Sequence, residues 1–381
     1  MPVAKRTAST PPVIPGYTYI RPLGSGGFAD VFLYEQDMPR RVVAVKVLLS
    51  DAINPEVLQT FNAEADVMAR LSAHPSIVTI YQASISADGR PYFVMEYCPD
   101  TMSSRYKKAP LGVDEVLDAG VRVAGALETA HRTGVLHRDI KPSNILINAL
   151  RNPALADFGI AAAIPDGLGD DDKIFAMSVP WSSPEVLQEK VTGSVAAEIW
   201  SLGATLYTLL ATRSPFELPV REKNTRELIT GRIIKAAYVP INRPDVPPVL
   251  EGVLAKAMSK DPAARQQSMF AFAEELRWVQ SQLGLATTTL EVAAREWAAS
   301  SAPVNFTDSV SRGPVITTVN KDSRRSARAR QAAMAQLEDK DGLIIAPASS
   351  SSALKAGLIG AGVAVGVVVV VVIALVVLKV I

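Results

Sequence analysis

The run His137-Arg138-Asp139-Ile140-Lys141-Pro142-Ser143-Asn144 spaces a carboxylate, an ammonium and an amide closely, and Asp157-Phe158-Gly159 begins thirteen residues after Asn144. Phosphoryl transfer uses these residue types in this order. Asp139 can accept the proton of an attacking hydroxyl, and Lys141 can neutralise the migrating group. Asn144 and Asp157 can supply oxygen ligands to Mg²⁺. A three-residue match would arise by chance, whereas the eight-residue run with its downstream partner is specific.

Such groups need elements that bring a polyphosphate to them. Gly24-Ser25-Gly26-Gly27-Phe28-Ala29-Asp30-Val31 reads as a glycine-rich turn between two strands, a pattern that an ordinary hairpin would also satisfy. Val43-Ala44-Val45-Lys46 follows as an apolar strand ending in a cation, the setting of a lysine that pairs the ATP α- and β-phosphates. A strand lysine turned inward without a partner would be costly. Glu64 is the natural partner, since it sits early in a helical stretch, 57–71, that precedes His74-Pro75-Ser76-Ile77-Val78; the competing reading is a solvated helix face.

Together these segments resemble the eukaryotic-type (Hanks-type) Ser/Thr protein kinases of bacteria over about residues 15–283. The resemblance implies an α+β, bilobal protein kinase fold: a small β-rich lobe, a larger helical lobe and ATP between them. It implies nucleotide contacts from Leu23, Gly24, Ser25, Gly26, Gly27, Val31, Ala44, Lys46, Met95, Glu96, Cys98 and Leu146. Val31, Ala44 and Leu146 would enclose the adenine, with Met95 as gatekeeper and the backbone of Glu96 and Cys98 bonding the base. Catalytic roles fall to Asp139, Lys141, Lys46 and Glu64, and metal ligation (Mg²⁺ or Mn²⁺) to Asn144 and Asp157. Lys141, two residues after Asp139, resembles the Ser/Thr-specific pattern. Arg265 resembles the late-lobe arginine that pairs with Glu185.

Four departures stand out. Ala29 replaces the third glycine of the turn, keeping a small side chain. Met177-Ser178-Val179-Pro180-Trp181 alters the floor of the peptide site, although the Ser178 hydroxyl could bond Asp139 and Lys141. Glu198 stands one methylene longer than the usual aspartate before Trp200-Ser201-Leu202-Gly203. No Ser, Thr or Tyr lies between Gly159 and Met177, and Asp170-Asp171-Asp172 fall where phosphorylated threonines usually sit. Those carboxylates either offer Arg138 a permanent anionic partner or form a solvated acidic loop.

The 381 residues accommodate a kinase domain and an appendage, and a net charge of +1 argues against a nucleic-acid partner. One cysteine excludes an internal disulfide and suits a reducing compartment. Residues 1–15 read as a flexible N-terminus without a signal peptide, 16–283 as the kinase domain and 284–353 as a juxtamembrane linker with a short helix near 289–299. Residues 356–378 carry no charge and would span about 34 Å as a helix, enough for a bilayer core of about 30 Å. Four arginines between 324 and 330 would lie on its cytoplasmic side. The expectation is a single-pass protein of the cell membrane, its kinase domain acting on cytoplasmic protein substrates. Gly362 and Gly366 would permit a dimer through the span. The alternative is a membrane-tethered pseudokinase that binds partners without turnover.

Overall fold

The computed structural model describes residues 6–27, 29–49, 55–158 and 178–293. Alternating apolar positions build its first layer. Strands β1 (Tyr17–Ser25), β2 (Ala29–Gln36) and β3 (Arg41–Leu48) precede helix α1 (Pro55–Leu71), and β4 (Ile80–Ile85) and β5 (Pro91–Glu96) follow it. They form one antiparallel sheet in the order β1-β2-β3-β5-β4.

Successive side chains of a strand point to opposite faces. Phe32, Tyr34, Val43, Val45, Val47, Tyr92 and Val94 therefore cluster on one side. Leu48 and Phe93 lie on the other with Phe61 of α1, whose ring stacks on Phe93 with centroids 4.2 Å apart. That second face also carries Lys46, paired in register with Val31 and Phe93.

The larger lobe is helical. A small sheet, β6 (Asp100–Thr101), β7 (Ile145–Ile147) and β8 (Pro153–Leu155), lies with α2 (Met102–Tyr106) and α3 (Val113–Arg132) at its start. After it come α4 (Pro184–Leu187), α5 (Val195–Ala211), α6 (Arg226–Lys235), α7 (Pro248–Ala257) and α8 (Met269–Gln282). Helix α3 carries Asp114 and Glu115 in its first turn and His131 and Arg132 in its last, which complements its dipole. Helix α5 is apolar nearly all round, with Ile199, Trp200, Leu202, Leu206, Leu209 and Leu210 buried, so it forms the centre of the lobe. The Ser194 hydroxyl caps it by accepting from the Ala197 amide at 3.1 Å. Arg265 joins the outer segments to that centre. Its fully buried guanidinium donates to both oxygens of Glu185 at 2.7 and 2.9 Å, as the resemblance implied, and lies over the Trp200 ring.

Two segments differ from their sequence reading. Residues 6–15, expected to be flexible, lie against the sheet, with Pro12 and Ile14 buried. Residues 285–293, expected as linker, pack on α3, and 289–293 are not helical. Thr288 is buried between Gln280 and Asp118, the Ala293 amide donates to the Thr129 hydroxyl at 3.1 Å, and His74 donates to the Glu291 carbonyl at 2.9 Å. The reason is tertiary: Gly125 of α3 leaves room for this backbone, because a Cβ there would stand 2.4 Å from the Glu291 oxygen.

The remaining part of the expected helix, 294–299, the Asp170–Asp172 run and the span at 356–378 lie outside the described residues. No described helix is long and apolar enough to cross a membrane.

Candidate active site

Lys46 reaches from β3 into the cleft with its side chain largely buried, and its ammonium lies 2.7 Å from the Asp157 carboxylate. Glu64 sits on α1, but its side chain is outside the described part of the structure; the partner described for Lys46 is Asp157. Burial pushes the Asp157 carboxyl up, yet Lys46, with a smaller contribution from Lys141, outweighs it and leaves the group below its ordinary value. Asp157 is thus a carboxylate at neutral pH. Its backbone is left-handed, φ 64°, as is that of Arg138, φ 67°. Such conformations cost about 1–3 kcal/mol each in a non-glycine residue and persist only where surroundings hold them.

The surroundings are visible. The Arg138 amide donates to Glu198 at 2.6 Å, and the other Glu198 oxygen accepts from His131 Nε2 at 2.6 Å. The extra methylene of Glu198 therefore keeps the grip on the loop, and His131, at the end of α3, braces it. Sequence reading gave His131 no role, since only the fold brings residues 67 apart together. His137 has its Nδ1 accepting from the Asp139 amide at 3.2 Å, so Nε2 carries the proton and donates to the Ala156 carbonyl at 2.9 Å. Burial lowers its pKa and keeps it neutral, packed on Phe158.

These contacts aim Asp139. Asn144 Nδ2 donates to its carbonyl at 2.9 Å and its carboxylate at 3.1 Å. Lys141 lies 2.6 Å from the same carboxylate and donates to the Ser178 hydroxyl at 2.8 Å. Lys141 thus bridges the expected pair of groups, with no Ser178–Asp139 bond among those described. The indole of Trp181, an unusual residue for its position, donates to Thr208 of α5 at 3.0 Å, which fixes the substituted floor.

Together with Lys46 and Asp157, the cleft is lined by Met68, Val78, Ile80, Phe93, Met95, Ala156 and Phe158. Leu23, Gly24 and Ser25 end β1, Gly26 and Gly27 form the turn, and Val31 follows on β2. Ala44 pairs in register with Met95, and Leu146 on β7 packs with Met95 and Cys98 against Val78, Ala154 and Ala156. Glu96 ends β5, its amide tied to Thr79. Apolar walls from both lobes with a cation at one end suit an aromatic base bearing phosphates. Asn144 spends its nitrogen on Asp139, which leaves its amide oxygen and the Asp157 carboxylate as hard donors of the kind Mg²⁺ or Mn²⁺ takes.

A protein kinase domain model matches residues 17–276. The chain belongs to the protein kinase family. It is 37% identical over 274 residues to the Serine/threonine-protein kinase PknK of Mycobacterium tuberculosis, covering 71% of this chain and 24% of that protein. Against the Serine/threonine-protein kinase PrkC of Bacillus subtilis it is 34% identical over 260 residues, covering 66% of this chain and 38% of the relative. Against PknB of Mycobacterium leprae it is 32% identical over 323 residues, 79% of this chain and half of the relative. The chain thus spans a quarter to a half of the length of these protein kinases.

Proposed function

We propose that the protein phosphorylates Ser or Thr residues of cytoplasmic proteins with Mg-ATP. One observation carries this reading: Asp139 and Ser178 are joined through Lys141, next to a Lys46–Asp157 pair that lines an apolar cleft. In this mechanism Asp139 accepts the proton of the substrate hydroxyl as it attacks. Lys141 holds Asp139 in place and offsets charge on the transferred group. Lys46, placed beside Asp157, pairs the ATP phosphates. A divalent cation held by Asn144 and Asp157 would supply charge neutralisation to the phosphates. The protein forms no covalent intermediate, so positioning and electrostatics carry the rate. Nothing described favours the pseudokinase alternative, since each group the chemistry needs is retained and its relatives bear kinase names.

The further reading is that residues 356–378 anchor the chain, with the catalytic domain on the cytoplasmic face and signalling from it. Its support is the uncharged span and the arginines that precede it. Pairing through Gly362 and Gly366 belongs to the same proposal.

Incubating the full chain in detergent with labelled ATP, Mg²⁺ and a generic protein acceptor tests the activity. Wild-type protein should label Ser and Thr, and Asp139→Asn should reduce transfer at least a hundredfold, within the range of removing a general base. Equal labelling by both, or none by the wild type, would refute the kinase reading.

A further inference from the structure

Residues 6–15 cross the sheet on the face opposite Lys46. Asp30, Phe32 and Tyr34 alternate with Val31 and Leu33 along β2, so the first three share the outer face. Ile14, 3% exposed, joins Phe32, Tyr34, Val43, Val45 and Val47 there. Polar contacts fix the same segment. The Tyr34 hydroxyl donates to the Pro12 carbonyl at 2.7 Å, and buried Arg90 donates to the Thr10 carbonyl at 2.8 Å and the Ser9 hydroxyl at 3.1 Å.

The far end of this strap reaches the glycine-rich turn. Asp30, wholly buried, lies at the start of β2 just after the turn, and its carboxylate accepts from the Ser9 amide at 2.7 Å and pairs with the Arg6 guanidinium. Arg6 also donates to the Gly26 carbonyl at 3.3 Å, while the Ser25 hydroxyl donates to the Arg6 carbonyl at 3.0 Å. The turn is therefore held at Gly26, and its two flanking strands at Ser25 and Asp30, by residues 6–9.

Peptide geometry turns that grip into a statement about nucleotide. In a trans peptide the C=O and N–H point in opposite directions. With the Gly26 carbonyl drawn to Arg6, the Gly27 amide N–H is aimed away from the strap. A flexible glycine turn can equally present a carbonyl to the cleft, where it would repel phosphate. The Arg6 contact favours the orientation that turns the carbonyl away from the cleft.

We infer that residues 6–9 are a built-in brace for the phosphate-binding turn, with Arg6 and Asp30 acting as positioning residues for ATP. This rests on the kinase reading above. Preorganisation of this kind acts on binding, and leaves the Asp139–Lys141 machinery untouched.

The test is steady-state kinetics on the full chain, with direct titration of Mg-ATP. Arg6→Ala should raise KM and Kd for ATP about tenfold, the loss of one charge-assisted contact or about 1.4 kcal/mol, at nearly unchanged kcat. Arg6→Lys should restore much of it. Deleting residues 1–6 should match Arg6→Ala, and Asp30→Asn combined with Arg6→Ala should add little to either alone. Melting temperature, read alongside, separates lost binding from lost folding. An active wild type whose Arg6→Ala and 1–6 deletion variants keep the wild-type KM and Kd overturns the brace and leaves the kinase reading standing. A fall in kcat alone overturns it equally. A wild type that binds Mg-ATP but never transfers phosphate defeats the kinase reading, and the brace is then judged by Kd.

Discussion

A lone thiol and a buried ion pair show how environment decides chemistry. Cys98 lies beside the cleft where a thiol could be reactive, but burial and the nearby Glu96 push its pKa up to about 12. The thiolate is the nucleophile, and at pH 7.5 almost none forms. Iodoacetamide should therefore modify native protein at least tenfold more slowly than an unfolded control, whose thiol titrates near 8.5; mass spectrometry reads the difference. Arg265 and Glu185 show the opposite case, a buried pair with good geometry: burial pushes the Glu185 carboxyl up, and the Arg265 bonds bring it below its usual range. Removing one partner of such a pair costs about 3–5 kcal/mol. Arg265→Ala should lower the melting temperature well beyond any change from Cys98→Ala, as calorimetry would show. The catalytic positions were legible at this scale because they sit in contiguous runs whose spacing is itself the signal. Asp30 and His131 were not, because their meaning depends on residues that only the fold brings near.

At the scale of elements, the strands and α1 follow from apolar periodicity, and α5 from a largely apolar run begun at its Ser194 cap. The segment after α8 was misread for a physical reason. Its composition is that of a linker, and what orders it is a groove supplied by α3 at Gly125. Gly125→Ala would push a methyl group into the Glu291 carbonyl. The segment should lift, with loss of the Thr129 and His74 bonds and about 1–3 kcal/mol of stability, read as a lower melting temperature and faster proteolysis near residue 290. Acid should act on the same contact. Burial holds the His74 pKa below its ordinary value, with the Glu291 carbonyl opposing more weakly. Well above pH 6.5 the ring is neutral in both folded and unfolded chains and pH has no effect through it. As pH falls through about 6.5, the unfolded chain takes up a proton that the folded one resists, so stability falls, and His137 adds to the trend. His74→Gln should flatten part of that slope between pH 6.5 and 5.5.

For the whole molecule, the membrane proposal separates cleanly from the catalytic one. Deleting residues 354–381 should release the protein into the soluble fraction with transfer activity retained, because the bilayer satisfies an apolar span that the lobes do not. Persistent pelleting with membranes after a high-salt wash would contradict the proposal. Residual binding that salt removes would instead trace to the arginines between 324 and 330.

The strap and the Gly125 groove bear on where such a gene can be cut. A fragment trimmed to the homologous segment, 17–276, would begin after Ile14 and end before Thr288. Phe32, Tyr34 and the outer valines would then face water as a contiguous apolar patch, an invitation to self-association. The groove on α3 would open as well. An expression boundary drawn by resemblance would thus discard part of the folding unit; one that keeps residues 6 to 293 would retain both of these contacts.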